Sequence, residues 1–214
     1  MKKLLIGLIS AIIILTGCSK NEGNEGDDLP ALPDPSDVCS AMDDIVFMTY
    51  CYENFDANKD GKVSVQEAES VRYISISSNI YSLKGIERFP NIETLEGTIN
   101  TSADYGSVLR YNKRLKRLNI YGVRLATLDL SQHQELENVS LSMDLGTLSL
   151  PAKVQKLSSS HIYEISILKC YGPPPYLDVG GLEFKTIGIV YVPADYIADY
   201  KIAHLWSYYN IQPL

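Results

Sequence analysis

Apolar residues fall into three successive rhythms along this chain. Positions 4–15 form an apolar run broken only by Gly7 and Ser10. That run is shorter than the ~20 residues a membrane-spanning helix needs. Further on, Ile45, Met48, Cys51, Tyr52 and Phe55 recur at three- and four-residue spacing, which is one face of a helix. Ser36, next to Pro35, reads as its N-cap. A second, short helix is predicted over "SVQEAESV", where Ser64 and Glu67 have capping-box spacing. From Val71 the periodicity becomes long-range. "VRYISISSNIY" supplies Val71, Ile74, Ile76, Asn79 and Tyr81; "LKRLNIYGVRL" supplies Leu115, Leu118, Ile120, Val123 and Leu125; "LENVSLSMDL" supplies Leu136, Val139, Leu141 and Leu145. Leu115 to Leu136, Leu118 to Val139 and Ile120 to Leu141 are each 21 positions apart.

This spacing matches LxxLxLxxNxL, the signature of leucine-rich repeats. Two degenerate copies occur at Ile92-x-x-Leu95, followed by the insertion "NTSADYGSV", and at Val154-x-x-Leu157. Each L-x-L core predicts a short strand. The later pairs Leu128-x-Leu130 and Leu148-x-Leu150 give a second apolar edge per repeat. A single repeat cannot bury its apolar face alone, so repeats must stack. Lys116, Arg117 and Asn119, with Glu137, Asn138 and Ser140, then line an outer polar face. Only Asn79 keeps the Asn of the signature, Val123 and Asp144 replacing it elsewhere. The stack is therefore expected to be short and irregular. At its far end, positions 187–192 read as a strand that Pro193 breaks, and Asp195 opens a helix to about Leu205. Trp206 and Tyr209 are placed to cover the last repeat. The expected fold class is α+β: a short irregular leucine-rich-repeat solenoid between an EF-hand-like helix-loop-helix cap and a C-terminal strand-helix cap. The expected segments are 1–17, 18–36, 37–70 and 71–214, with the C-terminal cap from about 187.

The first apolar run has the setting of an export signal. Lys2 and Lys3 precede it, and it ends in Leu15-Thr16-Gly17-Cys18. This order resembles the lipobox of bacterial lipoproteins, which implies cleavage before Cys18 and lipidation of its thiol. Acyl chains on one residue hold a protein to a membrane because each buried CH₂ contributes ~0.8 kcal/mol. The following stretch, 18–36, is rich in Gly, Asn, acid and Pro and buries too little apolar area to offset ordering. It reads as a tether with a reach on the order of 25 Å. Lys20 and Glu22 resemble the surface-export signal of Bacteroidetes lipoproteins.

Charge narrows the partners. The formal net charge is −7, and removing Lys2 and Lys3 with the signal takes it to −9. The one basic run, "NKRLKR", is interleaved with solvent-facing repeat positions, so nucleic acid is not an expected partner. Cys39, Cys51 and Cys170 remain. If Cys39 and Cys51 share one helix they are ~18 Å apart by rise, beyond bridging reach. An odd count without a CxxC argues against a disulfide framework or a zinc site, leaving buried thiols.

The densest chemistry is in "DANKDGKVSVQE". Counting from Asp56, Asn58 is position 3, Asp60 position 5, Gly61 position 6, Lys62 position 7, Ser64 position 9 and Glu67 position 12. This is the EF-hand calcium loop pattern. Ca²⁺ takes six to eight oxygens, so such a loop must deliver carboxylates and amides densely. Asp56, Asn58 and Asp60 turn inward, Lys62 offers its backbone carbonyl, Ser64 ligates weakly or through water, and Glu67 closes the shell with both oxygens. Gly61 supplies the sharp turn. EF-hands that switch come in pairs, and no second loop fits the pattern here. A structural Ca²⁺ that locks the N-terminal helix over the first repeat is the expectation.

The whole arrangement resembles Bacteroidetes surface lipoproteins that carry an EF-hand-like loop followed by a repeat of the type "SLKGIERFPNIETL", with a C-terminal end similar to that of BspA-like leucine-rich-repeat proteins. The resemblance implies a lipid-anchored, calcium-binding protein of the bacterial outer membrane, exposed at the cell surface and non-catalytic. Its expected partners are the membrane through Cys18 and an extracellular protein or glycan. Fifteen Tyr against four Phe and one Trp suit a binding surface. Tyr105, Tyr111 and Tyr121 can equally cover repeat edges. The alternative is a glycan-capturing or glycan-processing surface component, with Asp178 and Glu183 as an imaginable carboxylate pair. His133, His161 and His204 stand in unrelated contexts, and no nucleophile elbow or phosphate loop occurs.

Overall fold

The computed structural model describes residues 29–103, 105–159, 164–178 and 186–214. Residues 1–17, read as an export signal, Cys18 and the first part of the stretch read as a tether, together with His161 and Glu183, lie outside the described residues. Two parallel sheets dominate. The first orders β1 (Tyr73–Ile80), β2 (Thr94–Ile99), β3 (Arg117–Gly122), β5 (Asn138–Ser142), β7 (Lys156–Ser158) and β9 (Tyr176–Asp178) side by side. The second orders β4 (Leu125–Asp129), β6 (Leu145–Leu150), β8 (Glu164–Cys170), β10 (Thr186–Val192) and β11 (Asn210–Pro213). From β3 to β10 the chain alternates between the two sheets.

The architecture corrects the expected fold class. It is of α/β type in that its sheets are parallel, with few helices, and not an α+β leucine-rich-repeat solenoid. The reason lies in the second apolar pair of each repeat. Leu125 and Leu128 do not form a mere edge; they pair with Leu145 and Leu148, which pair in turn with Ile165 and Leu168. From β3 onward the return half of each repeat thus builds a continuous second sheet in register. β-branched and leucine side chains alternating with polar ones make both halves good strands.

Register explains the core. Ile74, Leu95, Leu118, Val139, Leu157 and Leu177 stand in one row across the first sheet. Leu128, Leu148, Leu168 and Val190 form a row across the second. All ten are buried in one cluster, and each such side chain contributes about 2 kcal/mol by burial. Among the described residues, β1 and β2 have no counterpart in the second sheet. There the insertion after β2 folds into the one-turn helix α3 (Gly106–Leu109), which contacts β4 and buries Tyr105 and Leu109.

The ends are built differently from their expected forms. The helix expected from Ser36 divides into a 3-10 turn, Val38–Ala41, and α1 (Ile45–Phe55). Asp44, not Ser36, caps α1, accepting from Val46 N at 2.9 Å and Phe47 N at 3.0 Å. Ser36 Oγ instead donates to Asp34 Oδ1 at 2.7 Å. Leu32, within the stretch read as a tether, packs against the core. The division also separates Cys39 from Cys51: they sit on different elements, and their thiols are close enough to hydrogen-bond. Rise along one helix therefore does not keep them apart. At the C-terminus α4 spans only Ile197–Ile202, and β11 adds a parallel strand beside β10. Trp206 Nε1 donates to the Pro175 carbonyl at 2.7 Å, and Tyr200 Oη to the Gly172 carbonyl at 3.2 Å. The two rings meet edge to face at 4.9 Å.

Candidate functional site

The acidic loop joins α1 to α2 (Val65–Ser70). Gly61 has φ +85°, a conformation that favours glycine, and a Cβ there would meet nothing within 4 Å, so the turn itself is what demands glycine. Lys59 shares the left-handed region at φ 60°. The polar side chains fold back on the loop. Asp56 accepts from Asp60 N at 3.2 Å and Gly61 N at 2.8 Å. Asn58 Oδ1 accepts from Asp60 N at 2.8 Å, and its amide donates to Asp60 Oδ2 at 3.1 Å. Asp60 Oδ1 accepts from Lys62 N at 3.0 Å.

Glu67 closes the loop from the far end. Its Oε1 accepts from Ala57 N at 2.9 Å and Asn58 N at 3.2 Å; its Oε2 accepts from Ser64 N and Ser64 Oγ, both at 2.8 Å. Ser64 completes the capping box of α2. These bonds, those from Ser64 foremost, hold the Glu67 carboxyl below its usual value. Three carboxylates and a carboxamide oxygen, with no nitrogen or sulfur ligand, form a donor set that fits a hard divalent cation. Among the described residues no three His, Cys, Asp or Glu side chains gather into a ready metal cluster. The loop's oxygens are spread over the backbone N–H groups of residues 57–64.

Lys62 turns its side chain outward. Its Nζ lies 3.0 Å from Asp34 Oδ2 and 2.6 Å from Ser36 Oγ. Ser36, then Lys62, hold the Asp34 carboxyl down at about 2. Val63, at loop position 8, is fully buried, and its backbone is paired on both sides. Val38 N donates to the Val63 carbonyl at 2.8 Å, and Val63 N donates to Asp37 Oδ1 at 3.2 Å. Asp37 Oδ1 also caps the 3-10 turn through Cys39 N at 3.0 Å, and Asp37 Oδ2 accepts from Tyr52 Oη at 2.7 Å. One buried carboxylate therefore joins the N-terminal segment, α1 and the loop. From sequence Asp37 carries no signal beyond a helix-start residue.

α1 passes this order on to the sheet. Tyr50 Oη accepts from Ser75 N at 3.0 Å, and Asp44 Oδ2 accepts from Tyr81 N at 2.6 Å. Both are N–H groups on the outer edge of the first sheet, or just past it. Phe55 packs on Tyr50 and Phe89, with ring centroids 5.5 Å apart in each case.

The outer face of the first sheet is the second candidate. Strand alternation raises two polar rows from it. One runs Tyr73, Thr94, Arg117, Asn138, Lys156, Tyr176; the other runs Ser75, Glu96, Asn119, Ser140, Ser158, Asp178. Arg117, Asn119, Asn138 and Ser140 line a shallow cleft of about 370 Å³. Lys116 and Glu137, expected on the same face, precede the strands, and Lys116 pairs with Glu93 at 3.0 Å. Sequence spacing does not reveal that Tyr73 and Tyr176 share a row with Arg117, because their repeats are degenerate. Tyr105 is buried, and Tyr111 accepts from Arg110 at 2.8 Å. Asp178 pairs with Lys156 at 2.6 Å. His204 is exposed, whereas His133 is buried between the Leu109 and Leu130 carbonyls. No protein-family model matches the chain, and no curated protein matches it.

Proposed function

We propose that this is a calcium-binding, lipid-anchored protein of the bacterial outer membrane surface, non-catalytic, whose sheet face binds an extracellular partner. The observation that carries the reading is the loop 56–67, with its oxygen donor set and its paired Val63. Asp56, Asn58, Asp60 and Glu67 would hold the ion, with the Lys62 carbonyl and Ser64 completing the shell. Bound Ca²⁺ supplies a fixed positive centre that offsets the repulsion among three carboxylates. The chain's own residues do the rest. Val63 binds residues 37 and 38, Lys62 binds Asp34, and Tyr52 binds Asp37, so that ordering the loop orders the segment leading in from the anchor. Backbone pairing of Val63 to Val38 supports a structural ion over a sensor, because the loop already has a fixed partner.

The test is thermal. Millimolar Ca²⁺ is expected to raise the melting temperature, in keeping with the ~10⁻⁴–10⁻³ M affinities of extracellular sites. Glu67→Ala is expected to abolish the rise. A titration with neither a thermal shift nor calorimetric heat removes the metal from this reading.

A further inference from the structure

We propose that the outer face of the first sheet is a binding site for a saccharide bearing a single carboxylate, seated on Arg117, Asn119 and Asn138 between Tyr73 and Tyr176. The inference rests on the reading of the chain as a binding protein and names the partner's chemistry.

Hydrogen bonding picks out the centre of the face. On one flank Tyr73 Oη donates to Glu96 Oε2 at 2.8 Å. On the other, Lys156 and Asp178 form an ion pair at 2.6 Å. Between them, Arg117, Asn119, Asn138 and Ser140 have no side-chain partner among the described residues, and all four line the cleft. Arg117 stands beside Asn138, and Asn119 beside Ser140, in adjacent strands. Neighbouring strands are about 4.8 Å apart, and same-face residues along a strand about 6.6 Å. The four therefore make a compact cell, floored by the buried Leu118 and Val139.

That cell has a definite chemistry. Each carboxamide offers a donor and an acceptor side by side, which suits the vicinal hydroxyls of a sugar. Arg117 presents a planar fork that suits a carboxylate in two parallel hydrogen bonds. Glu96 and Lys156 also line the cleft, but Glu96 is held by Tyr73 and Lys156 by Asp178, so Arg117 is the cation there that forms no ion pair among the described residues. One free cation on a chain of net charge −7 favours a singly charged ligand and disfavours polyanions, which the overall field repels. The cleft, at about 370 Å³, lies at the small end of ligand sites. The face also extends beyond it. Tyr73 and Tyr176 are 53% and 64% exposed and end the same row. Five strand spacings separate them, on the order of 24 Å, a span for a short oligosaccharide. Tyr carries an apolar ring for sugar faces and a polar tip for hydroxyls. A peptide would instead add to a free strand edge through its main chain. The cleft lies over β3 and β5, each paired with a strand on both sides.

The experiment titrates the purified full chain, by calorimetry and by amide chemical shifts, with two acidic oligosaccharides, the monosaccharide glucuronate and two controls. A glucuronate-containing tetrasaccharide and a sialyl trisaccharide distinguish the two sources of a sugar carboxylate. A carboxyl-reduced tetrasaccharide and a Glu-rich peptide are the controls. Saturable binding of either acidic sugar is expected, with shifts centred on Asn119, Asn138 and Tyr176. Affinity should fall about tenfold or more on carboxyl reduction and on Arg117→Lys, which keeps the charge but not the fork. Tyr176→Ala should weaken the longer probe more than a monosaccharide. No saturation by either acidic sugar at 10 mM (on the order of the weakest meaningful affinity), equal binding of the reduced sugar, or tighter binding of the peptide overturns the proposal. A calcium-dependent thermal shift without sugar binding removes this inference and leaves the calcium reading; sugar binding without that shift does the reverse.

Discussion

At the scale of single residues, Asp37 does more than its place in the sequence announces. Three donors converge on one carboxylate that is 6% exposed. Removing it leaves the buried Cys39 and Val63 amides, and the half-buried Tyr52 hydroxyl, without that partner. Asp37→Ala is expected to cost about 2–4 kcal/mol, read by denaturant unfolding, since each orphaned buried donor costs about 1–3 kcal/mol. A loss below 1 kcal/mol on that scale contradicts the role. His133 is the other residue with a measurable signature. Its Nε2 lies 2.9 Å from the Leu109 carbonyl and its Nδ1 3.3 Å from the Leu130 carbonyl. Neutral imidazole has one donor, and the shorter contact to the Leu109 carbonyl favours Nε2 as its site. Burial holds the ring's pKa below 6.5, against the raising effect of the Leu109 and Leu130 carbonyls, with Lys113 lowering it further and Asp129 opposing. The unfolded chain therefore takes up the proton first as pH falls. Stability from this group is complete above 6.5 and declines as pH falls through the lower folded value. His133→Gln, which can still donate to Leu109, is expected to flatten the stability profile just below pH 6.5. An unchanged slope assigns the dependence elsewhere.

At the scale of elements, strand packing sets the tolerances. Gly146 in β6 has no special φ, but a Cβ there would lie 2.4 Å from the Ala126 carbonyl oxygen. The obstacle is backbone of the neighbouring strand and cannot swing aside. Gly146→Ala is expected to destabilise by about 1–3 kcal/mol, measured by the thermal midpoint. An unchanged midpoint would mean that β4 and β6 separate without cost. How much of this was legible in the sequence follows from the same elements. The 21-residue spacing of Leu118 and Val139 is the spacing of residues paired across the first sheet. The loop residues 56–67 were legible because their chemistry is local. The second sheet was not, because Leu128-x-Leu130 and Leu148-x-Leu150 are too short to separate a strand from an apolar edge. Nor was the broken N-terminal helix: Asp43 and Asp44 interrupt the pattern, and Asp44 is a stronger cap than Ser36 is in its context. The row joining Tyr73, Arg117 and Tyr176 depends on pairing between distant strands, which no single repeat encodes.

At the scale of the molecule, the loop, α1 and the edge of the first sheet form one chain of contacts. Glu67 holds the loop, Tyr52 and Asp37 join it to α1, and Tyr50 and Asp44 cover Ser75 N and Tyr81 N. On the proposed calcium reading, chelation is therefore expected to speed amide exchange at Ser75 and Tyr81 while leaving Leu168 in β8 and Val190 in β10 protected. Uniform acceleration across both sheets, or none at the edge, breaks that chain of contacts. Acid acts in the same direction. Glu67 titrates below its usual value in the folded loop, so its contribution is present above 4.5 and is lost as pH falls further.

The links made by residues 30–38 have a mechanical consequence. The Arg88 guanidinium holds the Pro30 carbonyl, Lys62 holds Asp34, and Val63 holds Val38, three attachments in succession along the incoming chain. A tug on the N-terminal end meets them one after another, each shedding part of the load before it reaches α1. Tension applied from that side is thus spent first on a short, re-formable strap, ahead of α1 and of the sheet in which Arg117 lies two strands in from β1.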